Sequence, residues 1–350
     1  MTLQVLTKSR LYAWRKCKRL HRLKYLDGWR TARMTEPMFF GTLFHAGAEE
    51  WWKTGDIGMA LEAAVGAATA NADPVVLAKA LEAIRLYPLA WPDREDYEVL
   101  AIERGATWPL INPDTMYHSR TYEMGGVLDL LLRRRSTGQV ILVEHKSTSE
   151  DISDDAANYW KRLAMDSQLS IYVVGAESMG HQPERIIYDV VVRPQISLKL
   201  ATPVEKRKFK KDGTLYANQR DTDETLAEYT ARLRADMEAR PERYHGRREI
   251  ARLESEIRDG MLDVWQEAKA MRAAELSGRH PRNPDACHQY GTCEFWDVCA
   301  NGVDPELSTE YVSLEDVNPE LTRKLTKAPA AVNPGVPVAG AAVPALEVTK

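Results

Sequence analysis

Residues 125–146, GGVLDLLLRRRSTGQVILVEHK, read as a β-hairpin. Two apolar runs, Val127 to Leu132 and Val140 to Val143, flank the turn-like Arg133-Arg134-Arg135-Ser136-Thr137-Gly138. With the turn centred between Ser136 and Thr137, Asp129 falls opposite Glu144. Cross-strand Cβ atoms lie ~5 Å apart, close enough for two carboxylates to share a divalent cation. Side chains alternate along a strand, so Glu144 and Lys146 point to one face. Three charged groups on one sheet face are costly unless a metal and an anionic ligand complete them. The chain carries its own control. Glu267-Ala268-Lys269 repeats the pattern on a predicted helix, where residues two apart diverge by ~200°. That copy is expected to be an inert solvated pair.

Outward from the hairpin, the chain is helical, then mixed, then helical again. Ser9 is the expected cap of a helix through Leu20 that carries Arg10, Arg15, Lys16, Lys18 and Arg19. A second helix is expected from near Gly41 through Trp52, and alanine-rich helices over 59–72 and 74–86. Tyr97 to Glu103 alternates like a strand, 156–177 has helical periodicity, and Ile186 to Val192 reads as a strand. Two more helices are expected over about 223–239 and 249–276, with Pro241 closing the first. From Ala328 onward the chain is Ala, Pro, Val and Gly without a period, which predicts disorder.

Composition sets the class. The chain has 350 residues, 44% hydrophobic, enough for a real core. Its 47 Lys+Arg against 51 Asp+Glu leave a net charge of −4, which excludes coating nucleic acid through global charge but permits a local basic groove. No apolar run approaches the ~18–20 residues of a spanning helix, and the start lacks a signal-peptide plan. A cytoplasmic, membrane-free protein is expected.

Four cysteines stand out: Cys17, then Cys287, Cys293 and Cys299 at even spacing. No C-x₂₋₄-C knuckle marks a structural zinc site, although a zinc-stapled scaffold stays open. Four thiolates also suit an iron–sulfur cluster, with Gly291 giving room and Tyr290, Phe295 and Trp296 giving shelter. Basic groups occur at Arg10 to Lys24, at Arg133 to Arg135, and at Lys206-Arg207-Lys208 with Lys210 and Lys211. Aromatic residues interleave the first, as single-strand binders use for base stacking. Its Arg15, Lys18 and Arg19 are expected to face DNA, so replacing all three would flatten the salt dependence of binding.

Taken in order, these motifs resemble the RecB-like branch of the PD-(D/E)XK nuclease superfamily, which includes CRISPR-associated RecB-type exonucleases and AddB-type nuclease domains. The resemblance runs from about Ser9 to Ala300. A Gly-x-x-x-His is matched by Gly41 to His45, a Gly-x-x-Asp by Gly126 to Asp129, the Glu-x-Lys by Glu144 to Lys146, and a Gln-x-x-x-Tyr by Gln168 to Tyr172. One cysteine before the core and three after it match the iron–sulfur subset, although the gap from Cys287 to Cys293 is wider than in some members.

The resemblance implies an α/β restriction-endonuclease-like core, a small mixed sheet flanked by helices, with helical additions at both ends. The chain is then expected to divide into 1–92 with Cys17 and the Gly-x-x-x-His, 93–200 as the nuclease core, 201–280 as a helical extension, 281–305 as the cysteine segment and, outside the resemblance, 326–350 as a disordered tail. It implies a metal-dependent DNA exonuclease of recombination, repair, or phage or CRISPR DNA processing. His45, Asp129, Glu144 and the backbone carbonyl of His145 would hold Mg²⁺ or Mn²⁺, the imidazole favouring the softer ion. Lys146 would assist the attacking water, and Gln168 and Tyr172 would brace the site or touch the DNA backbone. Cys17, Cys287, Cys293 and Cys299 would hold a structural [4Fe–4S] cluster. A helicase, a recombinase or another protein partner is left open. The contrasting reading is a DNA-end-binding subunit that does not cut and acts through such a partner.

Overall fold

The computed structural model describes residues 3–69, 72–154, 157–289 and 291–326. The tail predicted to be disordered therefore falls, apart from the backbone of Thr326, outside the described residues, as does Tyr290. The chain opens with strand β1 (Gln4–Leu6), helices α1 (Lys8–Lys16) and α2 (Lys18–His21), and strand β2 (Trp29–Thr31). Helices α3 (Glu36–Thr54), α4 (Ile57–Ala67) and α5 (Pro74–Ala90) precede strands β3 (Tyr97–Ile111), β4 (His118–Arg134) and β5 (Val140–Thr148). Helices α6 (Asn158–Ala164) and α7 (Ser167–Ser178) lead to strand β6 (Arg185–Val192), and α8 (Leu226–Ala239) leads to β7 (His245–Glu249). The long α9 (Glu254–Ser277), the short α10 (Trp296–Ala300), β8 (Tyr311–Ser313) and α11 (Pro319–Thr326) follow.

Local chemistry moved several expected boundaries. Thr7, not Ser9, caps α1, its hydroxyl accepting from the Arg10 N–H at 3.2 Å. The expected continuation to Leu20 breaks at Cys17, whose backbone is extended at φ −163 and ψ 126. Helix α3 starts at Glu36, five residues before Gly41, with Pro37 in its first turn, where the missing N–H costs nothing. The helical stretch over 156–177 is two helices, because Asp166 caps α7 by accepting from the Gln168 N–H at 2.9 Å.

The six-stranded sheet is mixed. Strand β4 pairs antiparallel with β3 along one edge. Its other edge pairs with β1 at Tyr122–Met124 and with β5 at Leu130–Arg133. Leu130 faces Val143 and Leu132 faces Ile141, the register set by a turn between Ser136 and Thr137. Beyond β5 come β6, parallel, and β7, antiparallel. The sheet thus recruits strands from outside 93–200. Helices α1, α6, α7 and α9 bury one face around Trp14, Trp160, Leu169 and Val264. Helices α3, α4, α5 and α8 bury the other around Phe44, Trp52, Ile84 and Leu233. Coverage on both faces explains why the central strands read as nearly unbroken apolar runs. A third, smaller core joins Leu20, Leu23 and Tyr25 to Phe295 and Tyr311, with three of the cysteines packed against it. No helix among the described residues is long and apolar enough to cross a membrane.

Candidate active site

Between the β1 and β5 pairings, the edge of β4 from Gly125 to Asp129 has no partner strand among the described residues. Asp129 fills that gap with its side chain, Oδ2 accepting from the His145 N–H at 2.8 Å. Helix α3 brings His45 over the same edge. Gly41, one turn earlier, lets it come close, since a Cβ there would stand 3.3 Å from Ser147 Oγ on β5. The imidazole Nδ1 lies 2.9 Å from Glu103 Oε1 and 4.0 Å from Asp129 Oδ1. His45, Glu103 and Asp129 each present a ligand atom, all within 4.8 Å of one another. Glu103 was not anticipated. It sits on β3 opposite Asp129, between the Ile102–Leu130 and Arg104–Leu128 pairs. Its φ of +43 is rare for a residue with a side chain, and such strain collects at functional sites.

Glu144 lies beside this triplet and is almost fully buried. Its Oε1 accepts from Lys146 Nζ at 2.7 Å and from Gln168 Nε2. Lys146 also donates to Gln168 Oε1 at 2.7 Å, so Glu144, Lys146 and Gln168 form a closed ring of contacts. Tyr172, one turn along α7, lays its ring against Gly126, where a Cβ would meet Tyr172 Cε1 at 2.8 Å. From the α7 side, Gln168 thus contacts Glu144 and Tyr172 packs on Gly126. On the opposite flank, Lys324 of α11 reaches Glu103 Oε2 at 3.2 Å and Glu49 Oε2 at 3.0 Å.

The His145 imidazole turns away into the core. Its Nε2 lies 2.8 Å from Tyr87 Oη and 3.3 Å from Asp189 Oδ2. Asp189 is fully enclosed, accepts from Tyr87 and from Trp91 Nε1 at 3.0 Å, and has His245 Nε2 at 2.7 Å. Burial alone would raise its pKa, but His245 and His145 hold the carboxyl well below its usual range. This network fixes the strand segment whose N–H holds Asp129. Its one sequence signal is a lone acid inside the apolar run of β6.

The electrostatics are those of a site built around a cation. Burial and the neighbouring Glu144 push Asp129 up to about 7. Burial works against protonated His45, yet Asp129, Glu103 and Glu144 outweigh it and raise the imidazole to about 9. The same imidazole and Lys324 overcome burial at Glu103 and lower it to about 2. Lys146 is raised, because Glu144 and Asp129 outweigh burial, so it is a cation rather than a base. Glu144 Oε2 is buried without a hydrogen-bond partner among the described residues. Oxygen ligands, one imidazole and an orphaned carboxylate oxygen fit Mg²⁺ or Mn²⁺.

The second Glu-x-Lys has no such company. Glu267 turns to Arg15, 2.7 Å away, and Lys269 is exposed on α9. The copy is therefore not a solvated pair of its own two members, because Glu267 has a partner on α1.

All four cysteines line one small cavity, with Leu20, Leu23, Phe295 and Trp296 around them. The Asn283 N–H donates to Cys17 Sγ at 3.3 Å, joining the two ends of the fold. Burial raises the Cys293 and Cys299 thiols.

No curated protein matches the chain. The family model described as PD-(D/E)XK nuclease superfamily matches residues 5–300, a span holding His45, Glu103, Asp129, Glu144, Lys146 and all four cysteines. The mixed sheet between helices is that family's restriction-endonuclease-like core, and its members use divalent metals. By this match over most of its length, the chain belongs to the PD-(D/E)XK nuclease superfamily.

Proposed function

We propose that the protein is a DNA exonuclease of the RecB-like type that hydrolyses phosphodiester bonds at the β4–β5 edge. The observation that carries this reading is the closed contact ring of Glu144, Lys146 and Gln168 beside the His45–Glu103–Asp129 triplet. His45, Asp129, Glu144 and the backbone carbonyl of His145 would hold Mg²⁺ or Mn²⁺, with Glu103 as an added ligand. When bound, the ion supplies a Lewis acid for the phosphoryl oxygen and lowers the pKa of water. Lys146, being cationic, donates hydrogen bonds and offsets negative charge on the phosphate. Gln168 fixes the Lys146 ammonium by accepting from it and fixes Glu144 by donating to it. Asp129 is held in place by the His145 N–H.

The four-cysteine cavity supports a structural [4Fe–4S] cluster as a staple between Cys17 and the C-terminal segment.

End-labelled single- and double-stranded DNA, incubated with Mn²⁺ or Mg²⁺ and anaerobically purified protein, tests the reading. Metal-dependent digestion from an end that disappears in Lys146→Ala is the expected result. Tight end-binding without cleavage in either protein would replace it with a non-cutting subunit. Broad visible absorbance tests the cluster, since zinc absorbs no visible light.

A further inference from the structure

The N-terminal basic run was expected to face DNA through Arg15, Lys18 and Arg19, but each of these side chains already has a partner within the fold. Arg15 bonds Glu267 and donates to Ser167 Oγ at 2.8 Å. Lys18 donates to Trp14 O at 2.8 Å and lies 4.3 Å from the centre of the Trp14 ring. Arg19 donates to the His280 carbonyl at 3.3 Å, and Arg10 is buried. A different face is open. Lys8, Tyr12 and Lys16 recur every fourth residue, so they form one stripe along α1. With Ser9, Lys24 and Tyr25 they line a groove of about 310 Å³.

Three features give the groove a ligand class. Its lining holds three lysines against one acid: Lys24 meets Glu294 at 2.9 Å and Lys8 meets Asp166 from outside the groove, whereas Lys16 has no carboxylate partner among the described residues. Tyr12 is 48% exposed, and no aromatic ring stacks on it among the described residues. The groove also adjoins the candidate active site. Lys8 Nζ binds Asp166 Oδ2 at 3.0 Å, Asp166 caps the helix carrying Gln168, and Gln168 accepts from Lys146. At its other end, Lys16 also lines the cysteine cavity.

We propose that this groove carries a single DNA strand between the cysteine-lined end of the fold and the candidate active site, with phosphates along Lys8, Lys16 and Lys24 and a base stacked on Tyr12. The proposal rests on the nuclease reading and deepens it by naming the strand's path. From Lys8 to Lys16 the helix rises ~12 Å, enough for more than one nucleotide. A duplex keeps its base faces stacked internally and offers none to Tyr12, so the stripe selects a single strand.

Anisotropy of a fluorescein-labelled fifteen-nucleotide thymidine strand, titrated with the full chain without divalent metal over a salt series, tests it. Tyr12→Ala should weaken binding about 5- to 100-fold with the salt slope unchanged, the loss of one stacked base. Lys16→Ala should reduce the slope of log K against log salt by ~0.7, one phosphate contact on a single strand. Both side chains lie on the surface of α1, and circular dichroism would verify that the variants fold. Wild-type affinity and slope in both variants would overturn the path, as would equal losses on a duplex of the same length. If such a protein still cleaves with Mn²⁺, the nuclease reading survives that result. A wild-type chain that neither binds the strand nor cleaves overturns both.

Discussion

Glu144-His145-Lys146 on β5 and Glu267-Ala268-Lys269 on α9 have the same spacing and opposite fates. On the strand, period two sends the carboxylate and ammonium to one face, where they meet at 2.7 Å. On the helix, ~200° separates them, and Glu267 finds Arg15 instead. Burial adds to the contrast. Glu144 is 3% exposed, while Lys269 stands in solvent. The motif therefore acquires chemistry only where a strand, a buried neighbour and a second carboxylate coincide.

The sharpest contrast is in rate. Lys146→Ala should reduce metal-dependent cleavage on the order of 10³-fold, because it removes the cation aimed at developing phosphate charge. Lys269→Ala should leave cleavage within about twofold of wild type. Parallel single-turnover assays would show it, and comparable losses in the two variants would break the comparison.

Proton competition comes next. In the metal-free protein, His45 holds its proton to about 9 and Asp129 to about 7. A divalent ion must displace both, so below pH 7 its apparent affinity should rise roughly 100-fold per pH unit, and between 7 and 9 roughly 10-fold. Stability of the metal-free chain moves the other way. A raised Asp129 stabilises fully below its ordinary 3.8 and is lost as pH rises to about 7. A raised His45 stabilises fully below 6.5 and is lost by about 9. Calorimetric Mn²⁺ titrations at four pH values check the slope, and a pH-independent affinity would mean these groups do not hold the ion.

Much of this site was legible because it is local. The β4–β5 register follows from one turn, and it places Asp129 near Glu144 as expected. Gly41 and His45 lie one helical turn apart, a relation visible in any helix. Glu103 was not legible, because its place opposite Asp129 depends on the long β3–β4 pairing and on a register shift between Val99 and Ala101. Its left-handed backbone leaves no mark in composition. Asp189 was hidden for a similar reason, since its partners Tyr87, Trp91 and His245 come from α5, the residue just after it, and β7. The partners of the N-terminal basic run were not legible, because a charge run does not say that Arg15 meets Glu267 on α9.

Gly126→Ala should separate the regions on stability. Its Cβ would press the buried Tyr172 ring at 2.8 Å, and overpacking of this kind costs about 1–3 kcal/mol. The shift should reach Gln168 one turn away and lower cleavage as well. Denaturant titration with a parallel cleavage assay reads both, and an unchanged midpoint would mean that α7 stands off from β4.

Glu267→Gln should do least. The Arg15–Glu267 pair is about one-third exposed on the arginine side, and exposed pairs contribute ~0–1 kcal/mol. The substitution is nonetheless informative, because Arg15 also holds Ser167, the residue before Gln168. If the helical copy matters only to α1–α9 packing, the small loss should shrink further in high salt and cleavage should not change. Helix α7 has its own anchors for this, the Asp166 cap at its start and the buried Tyr172 a turn further on. A fall in cleavage without a fall in stability would show that Arg15 transmits the loss through Ser167 to Gln168, joining the two copies of the motif that the fold otherwise keeps apart.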